Sequence, residues 1–388
     1  MIRVAWIFAF FSILSAAEPT ALYLTFSDSP ESSMTVNWIT DAKEGESLSF
    51  HLLGEASART GSSRVFSLPD GKYLHRSELT GLLPGELYEF QLEDHDQKYT
   101  FRTVPQDVKE PLNFVVAGDL FPGSIETFAT TCRVAAKTNP YFVVVGGDLA
   151  YTASSSKNGK ESFDRWIDFF KTWNREMVTP EGHLIPIFAA IGNHEVNGGF
   201  RKTPDHAPGF YTFFRGQGQR SYQMVKLGDY LSLILLDSDH TCLIEGPQTE
   251  WLEDALKQSA SCQRSFVVYH IPAYPCVRRW TQGESQKIRK YWTPLFDRYN
   301  VTMVFENHDH AYKRTHPLRN QKVDPCGIIY LGDGGFGTGL VRPKRADKRY
   351  YLAKTKCTRH FLNVCLYQDR TAVYAIDDSG KTFDFILK

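Results

Sequence analysis

Apolar and polar residues alternate in short stretches along the N-terminal part of the chain. This alternation is typical of strands with one buried face, and it occurs at residues 21–26, 33–40, 47–52, 87–92 and 99–104. Glycines, prolines and an aspartate mark turns between the stretches. The pattern predicts a small all-β sandwich over residues 18–105.

A polar stretch bounded by prolines, residues 105–111, separates this part from a different pattern. Continuous apolar runs end abruptly in glycine and polar residues at 113–117, 141–145, 185–191 and 266–269. Helical periodicity lies between them, at 163–173, 248–257 and 285–299. Buried strands alternating with helices indicate an α/β domain, which we assign to residues 112–388. Ligands of such sheets bind beyond the carboxyl ends of the strands.

The first seventeen residues have the layout of a secretory signal peptide. Arg3 precedes an apolar run at 5–14, and small residues at 15–17 form a cleavage site. A run of about ten residues is too short to cross a ~30 Å hydrocarbon layer, and no other run approaches a membrane span. The sequence therefore predicts a secreted or periplasmic protein.

The composition and charge of the chain limit which kinds of ligand it is expected to bind. The 388 residues are 42% hydrophobic and 23% charged, as in an ordinary globular protein of about two domains. Because 44 basic residues balance 44 acidic ones, the chain lacks a global positive field for nucleic acid or anionic lipid. Seven cysteines without a CxxC pair argue against a thiolate zinc site. The sequence leaves the oligomeric state open.

Polar side chains capable of binding metal follow successive predicted strands. Singly, each has an ordinary explanation as a turn residue or a hydrogen-bonded histidine. Their recurrence at strand ends favours one shared site, formed by Asp119, Asp148, Tyr151, Asn193, His194, His270, His308 and His310. We place His308 and His310 on one face of a strand, because residues two apart point the same way.

The mixture of ligand types indicates which metals would bind. Carboxylates and an amide oxygen suit hard cations, whereas imidazoles suit Fe, Zn, Mn or Ni. The set is too large for one ion and sufficient for two ions that share a carboxylate. Two metals about 3.5–4 Å apart are the arrangement used for phosphoester hydrolysis.

Five ordered blocks resemble the calcineurin-like metallophosphoesterases and, within them, the purple acid phosphatases. The blocks are Gly118-Asp119, Gly147-Asp148-Leu149-Ala150-Tyr151, Gly192-Asn193-His194-Glu195, Val267-Val268-Tyr269-His270 and Asn307-His308-Asp309-His310-Ala311-Tyr312. The N-terminal part resembles a fibronectin type III-like module. The resemblance implies an α/β fold of four layers, a metallophosphoesterase β-sandwich flanked by helices and preceded by the all-β sandwich.

The resemblance also implies a role for each position. Asp119, Tyr151 and His310 would hold Fe(III) in a first site, and Asp148 would bridge to a second. Asn193, His270 and His308 would hold Fe, Zn or Mn in the second site, with Asn193 also within reach of substrate. His194 would not bind metal; it would hydrogen-bond or protonate the leaving group.

The sequence departs from the family pattern near the site. Asn307 stands where the pattern has glycine, and Phe121 where many relatives have a small residue. The loop at 271–280 lacks the histidines with which relatives bind substrate. Arg278 and Arg279 fall at about that place, either as phosphate-binding residues or as solvated loop residues.

The sequence thus predicts an exported acid phosphatase. It would cleave phosphomonoesters of small molecules with a hydroxide activated on a binuclear metal centre. A phosphodiesterase or nucleotide hydrolase on the same metal core is the first alternative. A non-catalytic binding protein is the second, although every ligand position and His194 are filled.

Overall fold

The computed structural model describes residues 19–388, apart from 44–46, 94, 154–160, 216–218 and 333. The predicted signal peptide, residues 1–17, lies outside the described residues. Within these ranges, no helix is both long enough and apolar enough to span a membrane.

The N-terminal part is all-β, as predicted. Its strands are β1 (Ala21–Thr25), β2 (Ser33–Thr40), β3 (Leu48–Leu52), β4 (Arg59–Gly61), β5 (Ser63–Ser67), β6 (Tyr73–Thr80), β7 (Leu87–Leu92) and β8 (Lys98–Arg102). Strands β4 to β6 were not predicted. In β6 the buried positions include His75 and Ser77, so apolar alternation is absent. His75 is accommodated because its ring stacks on Trp38 and its Nε2 lies 2.8 Å from Thr40 Oγ1.

The remainder alternates strands and helices. The strands are β9 (Leu112–Ala117), β10 (Val143–Gly146), β11 (Ile187–Ala190), β12 (Gln223–Leu227), β13 (Leu231–Leu235), β14 (Ser265–Val268), β15 (Met303–Glu306), β16 (Tyr312–Thr315), β17 (Leu318–Arg319), β18 (Lys322–Val323), β19 (Ile329–Gly332), β20 (Leu352–Lys356), β21 (His360–Leu366), β22 (Thr371–Asp377) and β23 (Thr382–Leu387). The helices are α1 (Ile125–Ala136), α2 (Phe163–Glu176), α3 (Pro208–Phe210), α4 (Pro247–Ser259), α5 (Gly283–Tyr291) and α6 (Thr293–Arg298).

The helix predicted over 285–299 is two helices. Helix α5 ends at Tyr291, and α6 begins at Thr293 with Pro294 in its first turn. Proline has no N–H and its ring clashes with the carbonyl four residues earlier, so a continuous helix is interrupted there and a new one begins.

Two sheets pack face to face between layers of helices, which confirms the predicted four-layer fold. Among the described residues, the ten-stranded sheet has the order β23-β22-β21-β9-β10-β11-β1-β2-β6-β5, and the seven-stranded sheet the order β12-β13-β14-β15-β19-β16-β20. Alternate residues of β9 face opposite layers. Phe114 and Val116 contact the core between the sheets, whereas Val115 joins the core under α1 and α2. Ile288 and Phe296 cover the outer face of the other sheet.

The N-terminal part and the α/β part share a sheet. Strand β1 pairs in parallel with β11 through Thr25 and Ile187, so β1, β2, β6 and β5 extend the ten-stranded sheet. Strands β4, β3, β7 and β8 form the opposing four-stranded sheet. Leu22 of β1 belongs to the N-terminal core, while Tyr23 stacks on Phe170 of α2 with ring centroids 3.7 Å apart. The two parts are therefore joined by packing as well as by the chain.

Candidate metal centre

The predicted site residues lie on loops that leave the carboxyl ends of neighbouring parallel strands. Strands β9, β10 and β11 are parallel in one sheet, and β14 and β15 in the other. The loop after β9 begins with Gly118 and Asp119, and the loop after β15 carries His308 and His310. The facing sheets bring all these loops to one edge, as the sequence predicted.

The placement of His308 and His310 on a strand was wrong. They lie in the turn between β15 and β16, and both have positive φ, 80° for His308 and 56° for His310. Asp119, Asp148 and Tyr151 also have positive φ, between 54° and 59°. This conformation is uncommon for residues with a side chain and is retained where surrounding structure enforces it, often at functional sites.

One cluster of donor atoms surrounds Asp148. His270 Nε2 lies 3.1 Å from Asp148 Oδ2, 3.1 Å from Asn193 Oδ1 and 3.2 Å from His308 Nδ1. Suitable ligand atoms of Asp148, His270 and His308 all lie within 4.8 Å of one another. Such convergence of lone pairs is the geometry that a cation requires.

A second cluster surrounds Asp119. Its Oδ1 lies 3.0 Å from His310 Nε2 and accepts a hydrogen bond of 3.2 Å from the Tyr151 hydroxyl. The Tyr151 oxygen is 3.5 Å from His310 Nε2. The backbone N–H of His308 donates to Asp119 Oδ2 at 3.0 Å, which ties this cluster to the first.

The electrostatics also join the two clusters. Burial lowers the pKa of His270, but the charges of Asp148 and Asp119 outweigh it and raise that pKa to about 9. Burial lowers the pKa of His310 as well, and the same two carboxylates raise it above its usual value. Burial and then the charge of His270 lower the pKa of His308 well below its usual value.

The residues fit a pair of cations. Backbone carbonyls near Nδ1 orient two imidazoles: Gly146 O lies 3.0 Å from His270, and Gly339 O lies 3.2 Å from His310. If Nδ1 carries the proton in both rings, each Nε2 presents a lone pair to the site. The buried Asp148 Oδ2 has no hydrogen-bond partner among the described residues. An orphaned carboxylate oxygen among imidazoles is what a cation would satisfy.

Glycines allow the close approaches on which this geometry depends. Gly334 has φ of 68°, and a Cβ there would overlap the Asp119 carboxylate and the His308 backbone. Two other glycines make room for Asn307, which stands where the family pattern has glycine. Its side chain lies against Gly118 and Gly146, where any Cβ would overlap it, and its Nδ2 donates to Tyr269 O at 3.0 Å. Phe121, the other departure, is a core residue stacked on Phe128.

Buried acids that the sequence analysis did not single out hold the loops. Glu195 accepts hydrogen bonds of 2.8 Å from the backbone N–H groups of both Asp148 and Leu149. Asp309 lies in the turn between β15 and β16, residues 307–311, which is called the histidine turn. It accepts from the N–H groups of Val277 at 2.5 Å and Arg278 at 3.1 Å, which docks the 271–280 loop on this turn. Their positions inside the third and fifth blocks were the available signal.

A fully buried ion pair brackets the histidine turn. Glu306, the last residue of β15, pairs with Lys313 of β16. Glu306 also accepts hydrogen bonds from the Tyr269 hydroxyl at 2.6 Å and the Ala273 N–H at 2.7 Å. The pair therefore links both ends of the turn to the segment around His270. Neither residue could be assigned this role from the sequence.

His194 and the two arginines differ in position. The His194 ring stacks on Tyr151 with centroids 4.3 Å apart, its side chain is 33% exposed, and its Nε2 lies 3.8 Å from Asp148 Oδ2. Arg278 is half-buried, and its charge contributes to lowering the pKa of His308 after burial and His270. Arg279 is exposed. The structure thus brings His194 and Arg278 to the site and leaves Arg279 exposed to solvent.

A comparison with protein-family models decides the family. The model described as calcineurin-like phosphoesterase matches residues 112–312, just over half of the chain. The chain belongs to the calcineurin-like phosphoesterases. A second model, described as the N-terminal domain of purple acid phosphatase, matches residues 19–103 of this phosphoesterase family member.

Similar proteins carry related names. Purple acid phosphatase 21 of Arabidopsis thaliana is 28% identical over 299 residues, which cover 74% of this chain and 63% of that protein. Purple acid phosphatase 22 of the same plant is 28% identical over 74% of this chain and 64% of its own length. The chain thus spans less than two thirds of the length of these relatives.

Solved structures share the phosphoesterase fold. A purple acid phosphatase from yellow lupin seeds superposes with a TM-score of 0.75 at 15% identity, over 94% of this chain and 73% of that one. The structure of PhoD superposes with a TM-score of 0.66 at 12% identity, over 94% of this chain and 92% of that one. At these identities the likeness concerns the fold alone.

Proposed function

We propose that this phosphoesterase family member is an acid phosphatase of the purple type that hydrolyses phosphomonoesters. The observation that supports the proposal is the convergence of two donor clusters on Asp119 and Asp148. Asp119, Tyr151 and His310 would hold the first cation, and Asn193, His270 and His308 the second, with Asp148 between them. When bound, such a pair orients a phosphate ester and activates water for attack on phosphorus.

The environment of Tyr151 bears on the first metal. Burial raises the pKa of Tyr151 well above 10, and the charges of Asp119 and Asp148 raise it further. This phenol ionises near neutral pH only beside a strong Lewis acid, which favours Fe(III) at the first position. The His, His and Asn set of the second position suits Fe, Zn or Mn.

The proposed roles of the protein groups follow from their exposure. His194 stands at the open side of the site, so its imidazole is placed to give a proton to the departing oxygen of the ester. Arg278 Nε lies 3.8 Å from Asp309 Oδ1, between the two histidines of the turn, and 41% of the Arg278 side chain is exposed, so the outer part of its guanidinium is placed to bind a phosphate oxygen. Asn193 would orient substrate through its amide N–H, because Oδ1 faces His270.

The proposal extends to the setting of the enzyme. The signal-peptide pattern at residues 1–17 supports secretion or a periplasmic location. The substrates would be small phosphorylated molecules, since the charge balance provides no global field for nucleic acid.

Purified protein assayed with an aryl phosphomonoester and the matching diester tests the proposal. We expect kcat/KM to favour the monoester strongly, together with a visible absorption band that Tyr151→Phe removes while the fold is kept. A preference for the diester would assign the protein to the phosphodiesterases. If the metal-free protein still hydrolysed both esters at the same rates, metal-dependent hydrolysis would be refuted.

A further inference from the structure

A basic segment, defined here as residues 339–349, runs along the mouth of the metal centre. Its Gly339 carbonyl contacts His310 Nδ1 at 3.2 Å, and its Val341 N–H donates to His310 O at 3.1 Å. Farther along, the Lys344 N–H donates to Cys276 O at 2.8 Å. The basic segment is therefore docked on both the histidine turn and the loop that follows His270.

The far end of the basic segment is fixed by side chains. Arg349 donates to the carbonyl of Arg278 at 2.7 Å and to that of Pro275. The Tyr351 hydroxyl donates to the same Pro275 carbonyl at 2.8 Å, and the Tyr351 ring stacks on Trp280. Because Arg349 is used in this way, it holds the segment and is not available to a ligand.

The other basic side chains of the segment are accessible to a ligand from solvent. Arg342, Lys344, Arg345 and Lys348 are all exposed, as is Arg279 on the adjoining loop. Asp347 pairs with Arg345 at 3.0 Å. On the adjoining loop, Arg278 pairs with Asp309 at 3.8 Å. Among the described residues, no ion pair involves Arg279, Arg342, Lys344 or Lys348. In a chain with 44 basic and 44 acidic residues, this is a local excess of positive charge.

The position of this charge indicates an extended anionic ligand. A simple monoester is bound through its one phosphate, which the cation pair and Arg278 would engage. Lys344 follows Val341 by three residues, so its backbone lies at most ~10 Å farther from the histidine turn. A second phosphate on a sugar-sized molecule spans a distance of that order. Lysine and arginine are the side chains that bind phosphate.

We infer that Arg342 and Lys344 form a subsite for a second phosphate group, so that the preferred substrates are small molecules with two or more phosphates. This inference rests on the proposed function for the site of hydrolysis. The subsite itself depends only on charge and would bind a non-hydrolysable analogue without turnover.

Binding of two phosphonates to the metal-loaded protein tests the inference. Calorimetry would compare 1,4-butanediphosphonate with butylphosphonate, neither of which the enzyme can hydrolyse at its C–P bonds. We expect the diphosphonate to bind at least about tenfold more tightly, because its second phosphonate adds at least one charge-assisted hydrogen bond. The double variant Arg342→Gln/Lys344→Gln should remove that advantage and leave butylphosphonate binding within about twofold.

A matched control separates the subsite from general electrostatic attraction. The double variant Arg64→Gln/Lys109→Gln makes the same change in net charge at two exposed residues, one in β5 and one in the polar stretch 105–111. Attraction by overall charge would weaken equally in both double variants and would vanish at about 0.5 M salt. That result, or equal affinity of the wild type for the two phosphonates, would overturn the inference. A protein that prefers the diphosphonate but hydrolyses no phosphomonoester would refute the proposed function and keep the subsite.

Discussion

At the scale of single residues, Asp148 has the central place in the site. Its Oδ1 accepts the backbone N–H of His194 at 2.8 Å, while its buried Oδ2 faces His270 and lacks a hydrogen bond. Its charge raises the pKa of both His270 and His310 against the effect of burial. One carboxylate thus acts on both donor clusters.

Asp148→Ala should therefore release both metals. Removing the shared charge leaves two cations to repel each other without a bridging anion, so we expect activity to fall by about a thousandfold or more. Metal analysis after gel filtration, with circular dichroism to verify the fold, measures this. Two tightly held ions and near-normal turnover in the variant would show that Asp148 is no bridge.

His194 differs from the ligands because its ring is partly exposed and stacks on Tyr151. If it protonates the leaving oxygen, His194→Ala should slow alkyl phosphates by about a hundredfold or more and activated aryl phosphates far less. Rates for a series of esters with different leaving-group pKa values measure the difference. Equal losses across the series would indicate a structural histidine.

At the scale of elements, the turn between β15 and β16 depends on the Glu306–Lys313 pair. Both side chains are fully buried, so a variant that lacks one of them leaves an uncompensated charge in the core. Lys313→Met should cost about 3–5 kcal/mol of unfolding free energy. The double variant Glu306→Gln/Lys313→Met removes both charges and should recover part of the lost unfolding free energy. Urea unfolding of the double variant and of the two single variants, Lys313→Met and Glu306→Gln, measures these values; additive losses would contradict an interacting pair.

Elements with a regular apolar pattern could be predicted from the sequence. Elements whose buried polar residues find partners only in the folded structure could not. Strands β2 and β7 have the predicted bounds because their alternation is regular. Strand β6 was missed because His75 is buried against Trp38, a contact that exists only after the sheet has formed.

The same distinction applies to the site. The ordered motif blocks indicated which residues converge, but not their backbone conformation. His308 and His310 reach the site through positive φ values, not through strand alternation. Glu306 has no local signature, because its partners Tyr269 and Ala273 are distant in sequence. Asp309 stands out only by its position inside the fifth block, and its partner, the Val277 N–H, is also distant.

At the scale of the whole molecule, the two parts share a continuous sheet and a common aromatic core. Tyr23 of β1 packs on Phe170 of α2, and Arg76 of β6 donates to Thr212 O at 2.8 Å. The sequence indicated two separate patterns but not this junction. We therefore expect both parts to unfold in one transition.

The free energy of unfolding of the whole molecule should decrease in acid, because the folded state disfavours protonation of His360. Burial lowers its pKa from 6.5 to about 4, although the Thr358 carbonyl partly opposes this. Between these values the unfolded chain binds a proton that the folded chain does not, so stability falls as pH decreases. The expected loss is about 3 kcal/mol from pH 7 to pH 4. Urea unfolding across this range measures it, and His360→Gln should show a shallower decline. An identical decline in that variant would exclude His360 as the cause.

Metal titration of the metal-free protein is the most direct test of a binuclear phosphomonoesterase. Phosphatase activity would be followed against equivalents of Fe(III) and a divalent metal, with bound metal counted in the same samples. The account predicts that full activity appears only when two ions are bound per chain. Full activity with one ion bound, or with none, would contradict it.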